Sequence, residues 1–222
     1  MPLRRHQLAY LKQDAWAAVL AAQEGAAVPD LFRSWPQRRL PLVVTRQASD
    51  APSMLALGWP APPEHAKLRL ALQVPLKGVA WFDEFPEARE VLPLFTRRKR
   101  PALRALLRSL ESLGTCPRVY GSYGWQLLSG LSYVHAASDL DLWLAVRNEE
   151  QADAAVDLLA GCNSLGLRVD GELFFPGGGA VAWREYAAWR AGRARSMLVK
   201  RLASVAVEAR LPLPSWCEPV AA

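Results

Sequence analysis

Hydrophobic and polar positions alternate along this chain with two distinct periods. Residues 6–24 carry Leu8, Leu11, Ala15 and Val19 at three- and four-residue spacing and end before Gly25, which predicts a helix. The β-branched run LPLVVT at 40–45 predicts a strand. Residues 52–63, with Pro52, Pro60, Pro62 and Pro63, read as a loop, and LRLALQV at 68–74 reads as a second strand that stops at Pro75. Further along, PALRALLRSLESL at 101–113 is an amphipathic helix with Pro101 in its first turn. CPRVYGS at 116–122 reads as a short strand entering a turn, and 125–131 is helical in character. SDLDLWLAV at 138–146 alternates regularly enough to define a half-buried strand. Residues 149–160 form a helix closed by Gly161, LRVDGELFF at 167–175 a strand, and GGGAVAW at 177–183 sheet-like sequence. Residues 184–207 read as one helix, with Lys200 late in it.

This order predicts an α+β fold, with a mixed sheet covered by helices in the C-terminal half and a smaller N-terminal α/β domain. The proline-flanked basic stretch from Pro86 to Pro101 marks the boundary, giving expected domains 1–95 and 96–222. No internal repeat is visible.

Composition narrows the function classes. With 222 residues, 51% hydrophobic and 22% charged, the chain has enough apolar sequence for one large core or two small ones. A net charge of +6 and a pI near 9.5 favour acidic partners: nucleic acid, phosphorylated cofactors or acidic proteins. The run Arg97, Arg98, Lys99, Arg100 reads as a solvated linker, because no aromatics are interleaved with it as a nucleic-acid surface would require. Cys116, Cys162 and Cys217 lie far apart without metal-ligand spacing. The N-terminus lacks the apolar stretch of a signal peptide, and no segment approaches the roughly 20 apolar residues of a membrane span. The expectation is a cytoplasmic protein without a membrane partner.

Three features carry chemistry. Gly121 and Ser122 lie between a strand and a helix, where glycine permits close backbone approach and helix-start amides favour phosphate oxygens. Asp139 and Asp141 are two apart on one strand, so both side chains share a face while Leu140 and Leu142 enter the core. Their Cα atoms are expected roughly 6.5–7 Å apart, a spacing at which two carboxylates grip one hard cation or bridge two. Like charges on one strand face repel, and a cation between them removes that objection. Asp170 and Glu172 share a face of a later strand, and either completes a triad of acids; Asp170-Gly171 alone also reads as a turn. Arg184 and Lys200 are candidates for neutralising phosphate charge, against the plainer reading of surface residues.

Together these residues resemble the polymerase-β-type nucleotidyltransferase superfamily: a Gly-Ser bend, a helix, an Asp-x-Asp strand and a third acid on a neighbouring strand. The sixteen residues between Ser122 and Asp139 exceed the spacing of compact members. The blocks GSYGWQLLSGLSYVHAASDLDL, VDGEL, AVAWRE and LVK, with RLPLVVTRQ, Gly58 to Pro63 and LRLALQVP before them, narrow the resemblance. They are similar to malonate decarboxylase holo-acyl-carrier-protein synthase, also called phosphoribosyl-dephospho-CoA transferase. The resemblance implies transfer of the prosthetic group from 2'-(5''-triphosphoribosyl)-3'-dephospho-CoA to a serine of the apo acyl carrier protein, with release of pyrophosphate. It also implies magnesium at Asp139 and Asp141, phosphates at Gly121 and Ser122, and a second-metal or proton-accepting role for Asp170 or Glu172. Arg39, Arg46 and Gln47 are brought towards the CoA moiety only by the family blocks; as residues they read as structural. Two rivals stand beside this reading: another magnesium-dependent nucleotidyltransferase, and a non-catalytic module binding nucleotide or nucleic acid.

Overall fold

The chain opens on a strand rather than a helix in the computed structural model, which describes residues 3–24, 28–48, 53–65, 68–162 and 166–211. Strand β1 (Leu8–Leu11) precedes helix α1 (Gln13–Ala21) and a single turn, α2 (Asp30–Arg33). The helical spacing across 6–24 is real but runs over two elements. Leu8 and Ala9 are fully buried because β1 is clasped on both edges, pairing Leu8 with Val43 on one side and Asp83 on the other. The expected strands follow as β2 (Leu42–Val44) and β4 (Arg69–Pro75). Between them the expected loop is instead β3 (Met54–Pro60), whose side chains alternate in burial along its whole length. Pro60 is tolerated there as the last residue of the strand. With β5 (Val79–Asp83) these strands form an antiparallel sheet in the order β4-β3-β2-β1-β5. Phe32, Trp35 and Trp59 fill its core by edge-to-face contacts, 5.1 Å between Phe32 and Trp59 and 5.6 Å between Trp35 and Trp59.

Contacts divide the chain between Phe85 and Pro86. Leu128–Tyr133 and Leu202–Ser204 cluster with the first unit, and the remainder from Pro86 on forms the second. Residues 86–95, which the sequence pattern assigns to the first domain, belong to the second unit: Ala88–Leu94 form a 3-10 helix, and Val91 and Phe95 pack into that unit's core.

The second unit contains α3 (Arg100–Ser112), β6 (Arg118–Val119), α4 (Gly121–Ser129), β7 (Leu140–Ala145), α5 (Glu149–Gly161), β8 (Val169–Phe174), β9 (Ala180–Ala182), α6 (Trp183–Arg190), β10 (Met197–Lys200) and β11 (Val205–Glu208). Its six strands are ordered β11-β10-β9-β8-β7-β6. The α5 crossover makes β7 and β8 parallel, and the other neighbours are antiparallel. Helix α5 starts cleanly because the Asn148 side chain accepts from the Gln151 amide at 2.9 Å. Leu103, Leu106, Leu107 and Leu110 of α3 meet the buried faces of α5 and β7 in one core.

The single helix expected over 184–207 is not present. Helix α6 ends at Arg190, Gly192 adopts φ +68°, and the chain returns as the β10–β11 hairpin. Met197 and Val199 point inward with period two, which a helix cannot satisfy. Lys200 therefore sits on a strand. Among the described residues no helix is long and apolar enough to cross a membrane.

Candidate active site

Strand β7 sends Leu140, Leu142 and Leu144 into the core and turns Asp141 to the opposite face, with Asp139 just ahead of the strand. The parallel neighbour β8 then sets Asp170 directly opposite Asp141, and Glu172 opposite Trp143. This register requires Gly171. It has φ +138°, and a Cβ there would lie 1.9 Å from the Leu142 carbonyl oxygen. The Asp-Gly pair is thus a close strand contact, not a turn.

Gly121 and Ser122 are the first residues of α4 rather than a bend preceding it. The Tyr120 amide donates to the Asp141 carbonyl at 3.0 Å, which fixes the helix start over β7. Gly121 has φ +60°, and an added Cβ would stand 1.9 Å from Asp141 Oδ2. Backbone and carboxylate are in intimate contact, and only glycine permits it. Helix α4 has nine residues, so much of the long Ser122–Asp139 interval is the loop at 130–139.

Four carboxylates converge on this point. Burial pushes the Asp141 carboxyl up to about 7, and the charges of Asp170, Asp139 and Glu172, in that order, add to the rise. Asp139 is half-exposed and pairs with Arg168, whose Nε lies 2.7 Å away. Arg168 escaped the sequence reading; the only signal was a cation two positions before Asp170. Glu172 is 6% exposed and accepts from Lys200 Nζ at 2.7 Å, across the narrow β9. Lys200, expected to serve phosphate, is thereby engaged with a carboxylate. Asp170 Oδ1 accepts from its neighbour's amide at 2.9 Å.

Arg184 opens α6, lies over the Trp183 ring at 4.2 Å and donates to the Val169 carbonyl at 3.0 Å, one residue before Asp170. Trp183 itself is core. Tyr123, in the first turn of α4, stacks on Phe95 with centroids 4.6 Å apart. Burial, then the Asp139 charge, raises its phenol above the ordinary value. His135 sits in the loop, its Nδ1 accepting from the Ala137 amide at 3.2 Å. Gln47 clasps β3 through Ala56 N and O, a structural role.

Among the described residues no three His, Cys, Asp or Glu side chains stand in metal-ligand geometry. The donor set nonetheless fits magnesium. It is all carboxylate oxygen, and this ion commonly takes one or two carboxylates and completes its octahedron with phosphate and water. A desolvated Asp141 among three other acids gains most from a cation.

A sheet-borne cluster of acids thus lies beneath a glycine-opened helix in a chain that is a transferase of the nucleotidyltransferase type. Comparison with known sequences is more specific: the chain belongs to the phosphoribosyl-dephospho-CoA transferase family. The model of that family's MdcG N-terminal domain matches residues 4–85, and the model of its C-terminal domain matches residues 86–210. A phosphoribosyl-dephospho-CoA transferase of Xanthomonas axonopodis pv. citri is 43% identical over 199 residues, covering 88% of this chain and 89% of its own. One from Bradyrhizobium diazoefficiens is 36% identical over 205 residues, covering 92% and 89%. One from Pseudomonas putida is 31% identical over 201 residues, covering 86% and 89%. No solved structure matches the chain.

Proposed function

We propose that this enzyme attaches the phosphoribosyl-dephospho-CoA group to a serine of the apo acyl carrier protein of malonate decarboxylase. The donor is 2'-(5''-triphosphoribosyl)-3'-dephospho-CoA. The serine Oγ attacks the phosphorus nearest the ribose, and the bond from that phosphorus to the oxygen bridging the next phosphate breaks. Pyrophosphate leaves with the electron pair, a phosphodiester to serine forms, and the serine proton passes to a carboxylate.

The register that sets Asp170 against Asp141 beneath Gly121 is the observation that carries this reading. Asp139 and Asp141 would hold Mg2+, which when bound would supply neutralising charge for the triphosphate and the leaving pyrophosphate. Gly121 and Ser122 present helix-start amides and a hydroxyl to the phosphates. Asp170 takes the serine proton, while Lys200 keeps Glu172 occupied and positions β8. Arg168, salt-bridged to Asp139 across a surface open to water, and Arg184, beside Asp170, offer cationic charge to the phosphates.

The test is the mass of the acceptor. Incubated with Mg2+, the triphosphoribosyl donor and enzyme, the apo carrier gains one phosphoribosyl-dephospho-CoA, and the gain vanishes with a chelator. A carrier that gains a nucleotide from ATP instead points to a different nucleotidyltransferase. A carrier that gains nothing, with a protein indifferent to Mg2+ in calorimetry, ends the catalytic reading.

A further inference from the structure

We infer that the exposed cations on α3 and in the turn leading into it dock the carrier protein through a carboxylate-bearing surface of that protein, an assignment that rests on the transfer reading above. The charged residues between Val91 and Leu110 are Arg97, Arg98, Lys99, Arg100, Arg104 and Arg108, with no Asp or Glu among them. Arg100 is committed to structure, its Nε donating to the Phe95 carbonyl and its Nη2 to the Pro93 carbonyl, each at 2.9 Å. The other five are exposed, and among the described residues none of their side chains has an ion pair or hydrogen bond. What read as a linker is the entry to a helix.

Local energetics disfavour this placement. Cations crowd the positive end of the helix dipole, and Lys99 occupies the N-cap without a side-chain cap. Arg100, Arg104 and Arg108 repeat like charge at four-residue spacing along α3. Helix stability alone calls for Asp or Glu in the first turn, so the arrangement answers to something outside the helix. Arg104 and Arg108, four apart, share a helix face, and the turn at Arg97–Lys99 carries positive charge past the helix start. From Lys99 to Arg108 this is ~14 Å of axis, which suits several carboxylates on a protein surface rather than one anion.

The face is joined to the site. Phe95, two residues before Arg97, stacks on Tyr123, two residues after Gly121. The acids at Asp139, Asp141 and Asp170 repel an acidic acceptor, and a cationic face fixed nearby supplies the opposing attraction.

The experiment compares the wild-type enzyme with two charge-reversal variants, Arg97→Glu/Arg98→Glu/Lys99→Glu and Arg104→Glu/Arg108→Glu. Transfer kinetics are measured at saturating donor, and carrier binding is measured by calorimetry. The expected result is a rise of about tenfold or more in KM for the carrier in each variant, with kcat and the donor KM nearly unchanged. Added salt should raise the wild-type carrier KM more steeply than that of either variant. The Arg97→Glu/Arg98→Glu/Lys99→Glu variant should not melt earlier than wild type, since glutamate suits the helix start, and the fold of the Arg104→Glu/Arg108→Glu variant is verified by its melting curve. Transfer with an unaltered carrier KM overturns the docking surface and leaves the reaction standing, as does a rise in the donor KM alone. Carrier binding that disappears in the variants, with no transfer by wild type, sustains the surface and removes the reaction.

Discussion

Gly121 is the residue on which the site's geometry turns. Its positive φ and its contact with Asp141 Oδ2 leave no room for a side chain. Gly121→Ala should cost about 1–2 kcal/mol in backbone strain. At about 2–4 °C per kcal/mol for a chain of this size, differential scanning calorimetry should show a modest fall in Tm. Transfer should fall far more, on the order of 100-fold, because the alanine methyl displaces the carboxylate proposed to hold the metal. Asp141 makes the opposite case, a functional group that costs stability. Its folded pKa of about 7 lies above the ordinary aspartate value, so the folded state binds the proton more tightly than the unfolded chain. The stability gained is full below about pH 4 and is lost as pH rises through about 7. In chelator, Asp141→Asn should therefore match wild type near pH 4 and exceed its Tm by a few degrees at pH 8. A variant that melts below wild type at pH 8 would show that Asp141 is not strained by its neighbours.

At the scale of elements, alternation within a strand was legible and the partners of a strand were not. The β7 pattern placed Asp141 on the face away from the core, with Asp139 one residue before the strand, and α3 and α5 announced themselves by their apolar stripes. Strand β1 is only four residues and fits a helical period by coincidence; its identity comes from β2 and β5, far along the sequence. Strand β3 was hidden by Pro60, by the prolines that flank it and by Gly58. The β10–β11 hairpin was masked because the helix before it shares its mixture of apolar and basic residues. The sequence supplied all four acids but not their register, and so not the pairing that relieves Glu172 through Lys200. Lys200→Met removes the cation 2.7 Å from the buried Glu172 carboxylate and should destabilise the fold by about 3 kcal/mol. Adding Glu172→Gln should recover much of that loss in urea titrations; a failure to recover it would argue that Lys200 acts on substrate alone. Helix α3 offers a second trade. Lys99→Asp replaces a cation at the positive end of the helix dipole with an anion and should add about 0.3–1 kcal/mol while weakening carrier recognition.

Across the whole molecule the two signs of charge have separate roles. Carboxylates converge on the proposed metal and phosphate site, while the α3 cations face outward. The net charge of +6 is a sum that hides this division, which is why composition named acidic partners without locating them. Chelating the metal should abolish transfer and leave the Tm unchanged or slightly lower, since the core owes nothing to the ion. The most direct check is the single-turnover rate of carrier modification by Asp141→Asn, at saturating Mg2+ and donor, with folding verified by its melting curve. The expected outcome is a well-folded protein whose rate has dropped on the order of a thousandfold or more. A rate within tenfold of wild type would contradict the metal-site reading, because the phosphates would then be activated somewhere other than beneath Gly121.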